Sequence, residues 1–342
     1  MDTDKVIIFG PWVGEFSYEL SWWNPECRKI REDYPDHWAV CLGFNGRNVA
    51  YGDFIDEYIP HPSELEASLT YPATFGEHQD KTLSGDIPVV TGGVGDDVIP
   101  KRFVDHLEKI IKEFQFRGFK DIVVHKPGDV PITRERCLSD YPFGRYVHYE
   151  VNNTLLYDVK SKINSYFDND DPTIFLMARL RSRDDEPCYL DWHPDNWPLF
   201  TKKVIEELGV NVISLSIKTQ GSRGGAQGLA GHELFKDLQH KIMNYEMEKD
   251  NPNSLEEQLA ILKSTKCSIY GASGAAVVPF FVNTPSFTQQ TKEEGFRLEL
   301  GWEKDLMDFK HFKNFDKYHN NDIYNSPVEE LFKEFVDFYK EL

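Results

Sequence analysis

The chain has 342 residues, of which 40% are hydrophobic and 28% charged, a composition typical of a globular protein with room for two domains. Its formal net charge of −19, from 57 acidic and 38 basic side chains, disfavours extended contact with the phosphate backbone of a nucleic acid. No run approaches the ~18 consecutive apolar residues that a membrane span requires.

The start of the chain predicts a cytoplasmic protein, and the spacing of its cysteines disfavours disulfides and a zinc site. The first residues are acidic and lead straight into an apolar strand, whereas a signal peptide has a basic start and a longer apolar stretch. The five cysteines are widely spaced and include no Cys-x-x-Cys pair, so we expect buried free thiols and neither a disulfide framework nor a zinc site.

The first half of the sequence alternates strand-like and helix-like segments. The apolar runs predict strands at residues 6–9, 38–44, 87–91 and 122–125. Helices are predicted at 19–32 and at 101–114, where Pro100 stands at the first turn. Along the second of these helices one face is apolar, formed by Phe103, Leu107, Ile110, Ile111 and Phe114. The Pro-, Ser- and Gly-rich stretch at 60–85 predicts a loop.

The alternation restarts after a polar stretch at 164–172, which is the best linker candidate because it is rich in Asn and Asp and ends at a proline. Strands are predicted at 173–178, 210–216, 266–270 and 286–288, and helices at 195–208, 255–263 and 274–281. Strands that alternate with helices form parallel sheets with crossover helices. The sequence therefore predicts an α/β protein with two doubly wound, Rossmann-like domains facing a cleft, at 1–165 and 172–310. An amphipathic helix at 328–339, within a final segment 311–342, is expected to pack back across their junction.

A run of arginines follows the strand predicted at 173–178. In open α/β sheets, ligands bind beyond the carboxyl ends of the strands. Arg179, Arg181 and Arg183 stand at that position. One guanidinium group can donate two parallel hydrogen bonds to the oxygens of a phosphate, and it stays positively charged. The alternative is a solvated loop in which the arginines pair with Asp184 and Asp185.

A turn of small residues joins the strand at 266–270 to the helix that follows. Without bulky side chains, the backbone N–H groups of Ser273, Gly274, Ala275 and Ala276 can approach a phosphate at the N-terminus of the helix. Close packing of the strand on the helix is an equally good explanation of this turn. Together with the arginines, the turn predicts a diphosphate-binding site.

The turn after the first strand carries Gly14 and Glu15. A carboxylate at this position can accept a proton from a hydroxyl group, which makes Glu15 a candidate general base. The alternative is that Glu15 and Glu19 are first-turn acids that interact with the dipole of the following helix.

Three weaker candidates lie in the second half. His193 follows the arginine run and is a candidate phosphate contact, although a lone histidine is more often structural. Lys218 begins a glycine-rich stretch after a predicted strand and is a further candidate contact. The Asp-x-Asp pattern at 168–170 lies in the polar linker and not beside the phosphate site, so no metal site is predicted.

These segments resemble the GT-B glycosyltransferases, above all the heptosyltransferase-like group. The likeness is carried by Gly14-Glu15 in place of a Gly-Asp turn, by Trp197-Pro198 at a helix start, by the helix at 254–262, and by the turn at 273–276 with the segment 277–285 after it. Arg179-Leu180-Arg181 is similar to the strand-end arginine motif of the O-fucosyltransferase-like group. The chain departs from the pattern at Ala272-Ser273, where an acid is usual, and lacks the histidine often found after the turn.

The resemblance implies metal-independent transfer of a sugar from a nucleotide-diphosphate donor to a hydroxyl of a glycan or another acceptor, without a cofactor. Glu15 is then the base and Arg179 stabilises the leaving diphosphate. The implied substrate contacts are Gly14, Arg181, Arg183, His193, Lys218, Ser273, Gly274, Ala275 and Ala276. Two alternatives stay open, a non-catalytic nucleotide or glycan binder and another enzyme on this fold, such as a pyruvyl transferase or a sugar-nucleotide epimerase.

Overall fold

The structure is a computed structural model, and it describes residues 3–14, 16, 19–67, 99–127, 129, 147–178, 192, 193, 195–217, 229, 232–247, 251–271, 274–292, 311–319 and 322–342. The chain divides into two compact units, Met1–Tyr146 and Val147–Leu342. This division falls before the polar stretch at 164–172 that the sequence indicated as a linker.

The first unit is built on a four-stranded parallel sheet. Its strands are β1 (Lys5–Phe9), β2 (Trp38–Gly43), β3 (Glu57–Pro60) and β4 (Asp121–His125). They are ordered β3-β2-β1-β4, and every neighbouring pair is parallel. The helices are α1 (Asn24–Asp33), α2 (Ser63–Ala67) and α3 (Lys101–Phe116), with a π-helical turn at Glu19–Trp23 directly before α1.

Helix α3 covers one face of this sheet, as its apolar periodicity predicted. Phe103, Leu107, Ile110 and Phe114 are buried, and the last three pack in one cluster with residues of β1 and β2, namely Val6, Ile8, Val40 and Leu42. Ile111 is partly buried against the same cluster. The predicted apolar face of this helix is therefore confirmed.

The second unit is built on a six-stranded parallel sheet. Its strands are β5 (Thr173–Met177), β6 (Asn211–Ile217), β7 (Ile242–Met247), β8 (Ser268–Tyr270), β9 (Ser286–Gln289) and β10 (Phe312–Phe315). They are ordered β10-β9-β8-β5-β6-β7, and all pairs are parallel. Numbered from its first strand, this is the order 3-2-1-4-5-6 of dinucleotide-binding Rossmann domains. The helices of the unit are α4 (Asn153–Phe167), α5 (Asn196–Leu208), α6 (Ser254–Lys263) and α7 (Val328–Lys340).

The polar stretch at 164–172 is the end of a helix and the approach to β5. Helix α4 begins after Asn152, whose side-chain oxygen accepts hydrogen bonds from the N–H groups of Thr154 and Leu155. The helix ends at Asp168, which has a left-handed backbone conformation with φ of 47°. Asn169 then bonds to the Asn211 side chain at the start of β6. The Asp-x-Asp pattern is thus part of a helix terminus.

The final segment is an integral part of the second unit. Strand β10 extends the sheet beside β9, and α7 packs on α5 and against the edge formed by β9 and β10. Leu331, Phe335 and Phe338 of α7 belong to the same core cluster as Trp197 and Phe200 of α5. None of the described helices has the length and the apolar character that a membrane crossing needs.

Candidate functional site

The carboxyl ends of β5 and β8 meet at the point where the strand order of the second sheet reverses. Met177, the last residue of β5, is in register with Tyr270, the last residue of β8. The N–H of Gly271, the next residue after β8, donates to the Met177 carbonyl over 3.1 Å. In open parallel sheets this switch point is the usual ligand-binding crevice.

Both segments that the sequence singled out for phosphate binding leave the sheet at this switch point. The chain continues from β5 through the buried Ala178 to Arg179, and from β8 through Gly271 to the small-residue turn. Arg179, Arg181, Arg183, Lys218, Ser273 and Glu15 themselves lie outside the described residues. Their placement at a site therefore stays a prediction, while the strand ends that lead to them are described.

The small-residue turn opens a 3₁₀-helix (Gly274–Val282) where an α-helix was expected. Pro279 lies inside this helix and has no N–H to donate to an α-helical ladder. Ala276 is fully buried, so its methyl group packs in the core of the unit. Gly274, Ala275 and Ala276 thus form the first turn of a helix that starts beside the switch point.

His193 has a local structural role in the second unit. Its N–H donates to the Tyr324 carbonyl over 2.9 Å, and its Nδ1 accepts the N–H of Asp195 at 3.2 Å. The imidazole also packs edge-on against the Tyr324 ring. Asp195 takes the N-cap position of α5, but its side chain makes no capping hydrogen bond. These contacts order the start of α5, and the proposed phosphate contact of His193 stays a prediction.

The described cysteines are unsuited to nucleophilic chemistry. Cys27, Cys41 and Cys267 are free and buried, as the sequence predicted for the thiols. Burial raises the pKa of Cys267 to about 12 and holds the pKa values of Cys27 and Cys41 well above the ordinary thiol range. The reactive thiolate form is therefore scarce at neutral pH.

The first unit has its own switch point, between β1 and β4. Phe9 and His125, the last residues of these strands, are in register, and the N–H of Gly10 donates to the His125 carbonyl over 2.9 Å. Gly10 has φ of 116°, and a Cβ at this position would lie 2.5 Å from the carbonyl oxygen of Leu42. Glycine is required here because the turn passes so close to the end of β2.

A buried aromatic stack lies under this turn. Trp12 stacks on Trp23 with ring centroids 5.7 Å apart, and Trp23 stacks on His125 at 5.4 Å. On its other side His125 Nε2 lies 3.3 Å from Glu26 of α1. Since Trp12 is fully buried, its ring stabilises the turn from within the core.

A buried carboxyl lies after the turn, within the π-helical turn before α1. Glu19 is fully buried, and its Oε1 accepts the hydroxyl of Tyr51 at 3.0 Å. The guanidinium of Arg47 lies 3.7 Å from Oε2. Burial raises the pKa of Glu19 to about 7, against the smaller opposing effects of Arg47 and Tyr51. π-Helical turns inside helices occur frequently at functional sites.

The sequence indicated Gly14 and missed the partners of Glu19. Gly14 is buried directly beyond the switch point of the first unit, whereas Arg47 and Tyr51 come from the loop after β2. The sequence could have indicated Arg47 and Tyr51 only by their position after β2, because polar residues that follow the carboxyl end of a central strand lie at the ligand-binding edge of the sheet. Glu19 itself was considered only as a first-turn acid.

The comparisons with known proteins identify this architecture. No protein-family model matches the sequence, and no curated protein matches it. Among solved structures, the chain is similar to a glycosyl transferase family 9 protein from Veillonella parvula, with a TM-score of 0.58, 11% identity, and coverage of 100% of this chain and 99% of that one. It is also similar to the ADP-heptose lipopolysaccharide heptosyltransferase II of E. coli, with a TM-score of 0.51, 12% identity, and coverage of 98% and 99%.

The chain therefore has the two-unit α/β fold of the GT-B glycosyltransferases, and its structural neighbours include heptosyltransferases. At 11–12% identity the likeness concerns the fold, and function has to be argued from the site.

Proposed function

We propose that this protein is a metal-independent glycosyltransferase that moves a sugar from a nucleotide-diphosphate donor to an acceptor hydroxyl. The observation that carries the proposal is the switch point of the second sheet, where β5 and β8 are paired in register at Met177 and Tyr270. One strand leads to the arginine run and the other to the small-residue turn. Both segments chosen for phosphate chemistry thus begin side by side.

The donor diphosphate needs cations and N–H groups. In the proposal, Arg179 stabilises the negative charge that develops on the diphosphate as the bond to the sugar breaks. Arg181 and Arg183, with Lys218 and His193 as further contacts, bind the donor. The backbone N–H groups at Ser273, Gly274, Ala275 and Ala276 contribute the positive end of a helix dipole.

The acceptor is assigned to the first unit. Gly14 and Glu15 follow β1 beyond its switch point, and Glu15 removes the proton from the acceptor hydroxyl as this oxygen attacks the sugar. A cytoplasmic location, which the free thiols of the described cysteines support, is part of the same proposal.

Nucleotide binding is the first experiment. Purified protein is screened by thermal shift against ADP, UDP, GDP, CDP and dTDP, with and without a divalent cation. ADP comes first because the E. coli structural neighbour is an ADP-heptose heptosyltransferase. We expect one nucleotide to raise the melting temperature without needing metal. No shift with any of them would contradict the donor site.

Arg179 is tested by substitution once a donor is known. Arg179→Ala should lower turnover by about 100-fold or more, in the range of lost oxyanion-type contacts, while the melting temperature without nucleotide stays that of the wild type. Lys202→Ala is the matched control, because it also removes one cation from the second unit, on a helix face where Lys202 pairs with Glu206. Near-normal turnover of the Arg179 variant would contradict the phosphate role.

A further inference from the structure

The turn after β1 is fixed to its unit by contacts along its length. The N–H of Trp12 donates to the Leu42 carbonyl over 3.0 Å, and the Trp12 carbonyl lies 2.8 Å from Nε2 of the buried His61. Since a carbonyl only accepts, His61 donates from Nε2 here. These two contacts hold the middle of the turn.

The far end of the turn is held by an arginine. The guanidinium of Arg47 lies over the ring of Phe16, with 3.9 Å between its central carbon and the ring centroid, a cation–π geometry. Arg47 is in turn attracted by the Glu19 carboxyl, whose Oε2 lies 3.7 Å from Nε. Among the described residues, Oε2 has no hydrogen-bond partner, so the charge of Arg47 is its main stabilising contact.

We propose that Glu19 is a positioning residue for the transfer step, because its carboxylate holds Arg47 on Phe16 and thereby fixes the end of the segment 10–16. This inference rests on the proposed function, since the segment contains Glu15, the assigned base. A base that moves by about 1 Å can cost about 100-fold in rate. Glu19, being fully buried, acts through Arg47 and does not touch the acceptor.

The hold depends on the charge of Glu19. The groups that act on this carboxyl are Arg47 and Tyr51, which favour its ionised form, and Glu66 of α2, which opposes it. Cys41 and Tyr58 also lie within its electrostatic reach, and burial keeps both of these neutral. With the pKa of Glu19 raised to about 7 by burial, the attraction to Arg47 strengthens as the pH rises through neutrality.

The test compares Glu19→Gln with the wild type. Glutamine keeps the shape and the acceptor for Tyr51 but removes the charge. Arg47→Met is the second variant, which removes the guanidinium and leaves Glu19 in place. Glu57→Gln is the matched control, because it removes another arginine-paired carboxylate of the same unit, bound to Arg117 at 2.9 Å.

Two readouts are taken on the 342-residue chain. The first is hydrogen–deuterium exchange of peptides covering residues 10–23, which we expect to be about tenfold faster in the Glu19 and Arg47 variants and unchanged in the control. The second is transfer of the sugar from the donor nucleotide found by thermal shift. In Glu19→Gln we expect kcat to fall by about 10- to 100-fold while KM for the donor stays within about twofold. The rise of wild-type kcat through about pH 7 should be absent from this variant.

Each outcome decides a separate point. Exchange and kcat both equal to the wild type in Glu19→Gln would overturn the positioning role. Faster exchange with unchanged kcat would also overturn it, since Glu19 would then stabilise the turn without serving the transfer. If the wild type transfers no sugar from any donor, the proposed function fails, and exchange alone decides whether Glu19 fixes the segment.

Discussion

Replacing Glu19 by glutamine is expected to change the pH dependence of stability. Burial raises the pKa of this carboxyl from its ordinary value of 4.5 to about 7, so the folded state holds the proton more tightly than the unfolded chain. Protonated Glu19 therefore stabilises the folded state. This contribution is fully present below about pH 4.5 and is lost as the pH rises through about 7. At about 1.4 kcal/mol per pKa unit, the loss is about 3 kcal/mol.

Glutamine carries no proton to lose, so the variant avoids this cost. We expect its free energy of unfolding, relative to the wild type, to rise by about 3 kcal/mol between about pH 4.5 and pH 8.5. Urea denaturation of both proteins, followed by tryptophan fluorescence at several pH values, measures this difference. The two proteins have to be compared because of His61. Burial lowers the pKa of its imidazole to about 4, and this changes the stability of both proteins in the opposite direction over nearly the same pH range.

A difference between the two proteins that stays constant across this pH range would refute the reasoning. It would mean that Glu19 is ionised in the folded state at all these pH values, and hence that Arg47 and Tyr51 outweigh burial. The positioning role would then lose its pH dependence, although the contacts with Arg47 would remain.

Three further outcomes are expected. Gly10→Ala should lower the free energy of unfolding by about 1–3 kcal/mol, and by more than Gly118→Ala does. Both glycines have positive φ, but only a Cβ at position 10 would meet a backbone carbonyl. Urea denaturation of the two variants measures the difference. Asn152→Ala should cost about 1 kcal/mol by the same measurement, since it removes the side-chain cap of α4. His61→Gln should lose less stability than the wild type as the pH falls from about 6.5 to about 4, because neutral His61 must otherwise be protonated against burial; equal losses in acid titrations of the two proteins would contradict this.

The central strands of both sheets could be predicted from the sequence, and most edge strands could not. Strands such as β1 and β5 are buried on both faces and therefore appear as continuous apolar runs. The edge strands β3 and β10 are half-exposed and carry polar residues, and neither was predicted. The inner strands of a sheet have a clear apolar pattern in the sequence. An edge strand forms because it pairs with a neighbouring strand, and that pairing is visible only in the folded structure.

The polar stretch at 164–172 shows how one signal can mean two things. Clusters of Asn and Asp mark turns because these residues tolerate left-handed backbone and bond to nearby N–H groups. Here the same properties end a helix, with Asp168 in the left-handed region and Asn169 bonded to Asn211. Local chemistry predicted a break in regular structure, and the break lies inside a unit and not between two.

The candidate site was only partly predictable for a related reason. The turn after β8 and the strand that precedes Arg179 follow from local pattern, so both could be predicted. Glu19, Arg47 and Tyr51 are brought together by the return of the chain after β2. A contact between residues so far apart in sequence leaves no trace in periodicity.

The last strand and the last helix belong to the second unit, and this decides where the chain can be truncated. A fragment that stops at residue 310 lacks β10, so the backbone N–H and C=O groups along that edge of β9 lose their partners. It also removes Leu331, Phe335 and Phe338 from the core. A fragment that begins at 172 lacks α4, which packs on α6. Nucleotide binding by the isolated second half should therefore be measured on residues 147–342. If a shorter fragment is insoluble, the reason is that truncation has exposed part of its hydrophobic core.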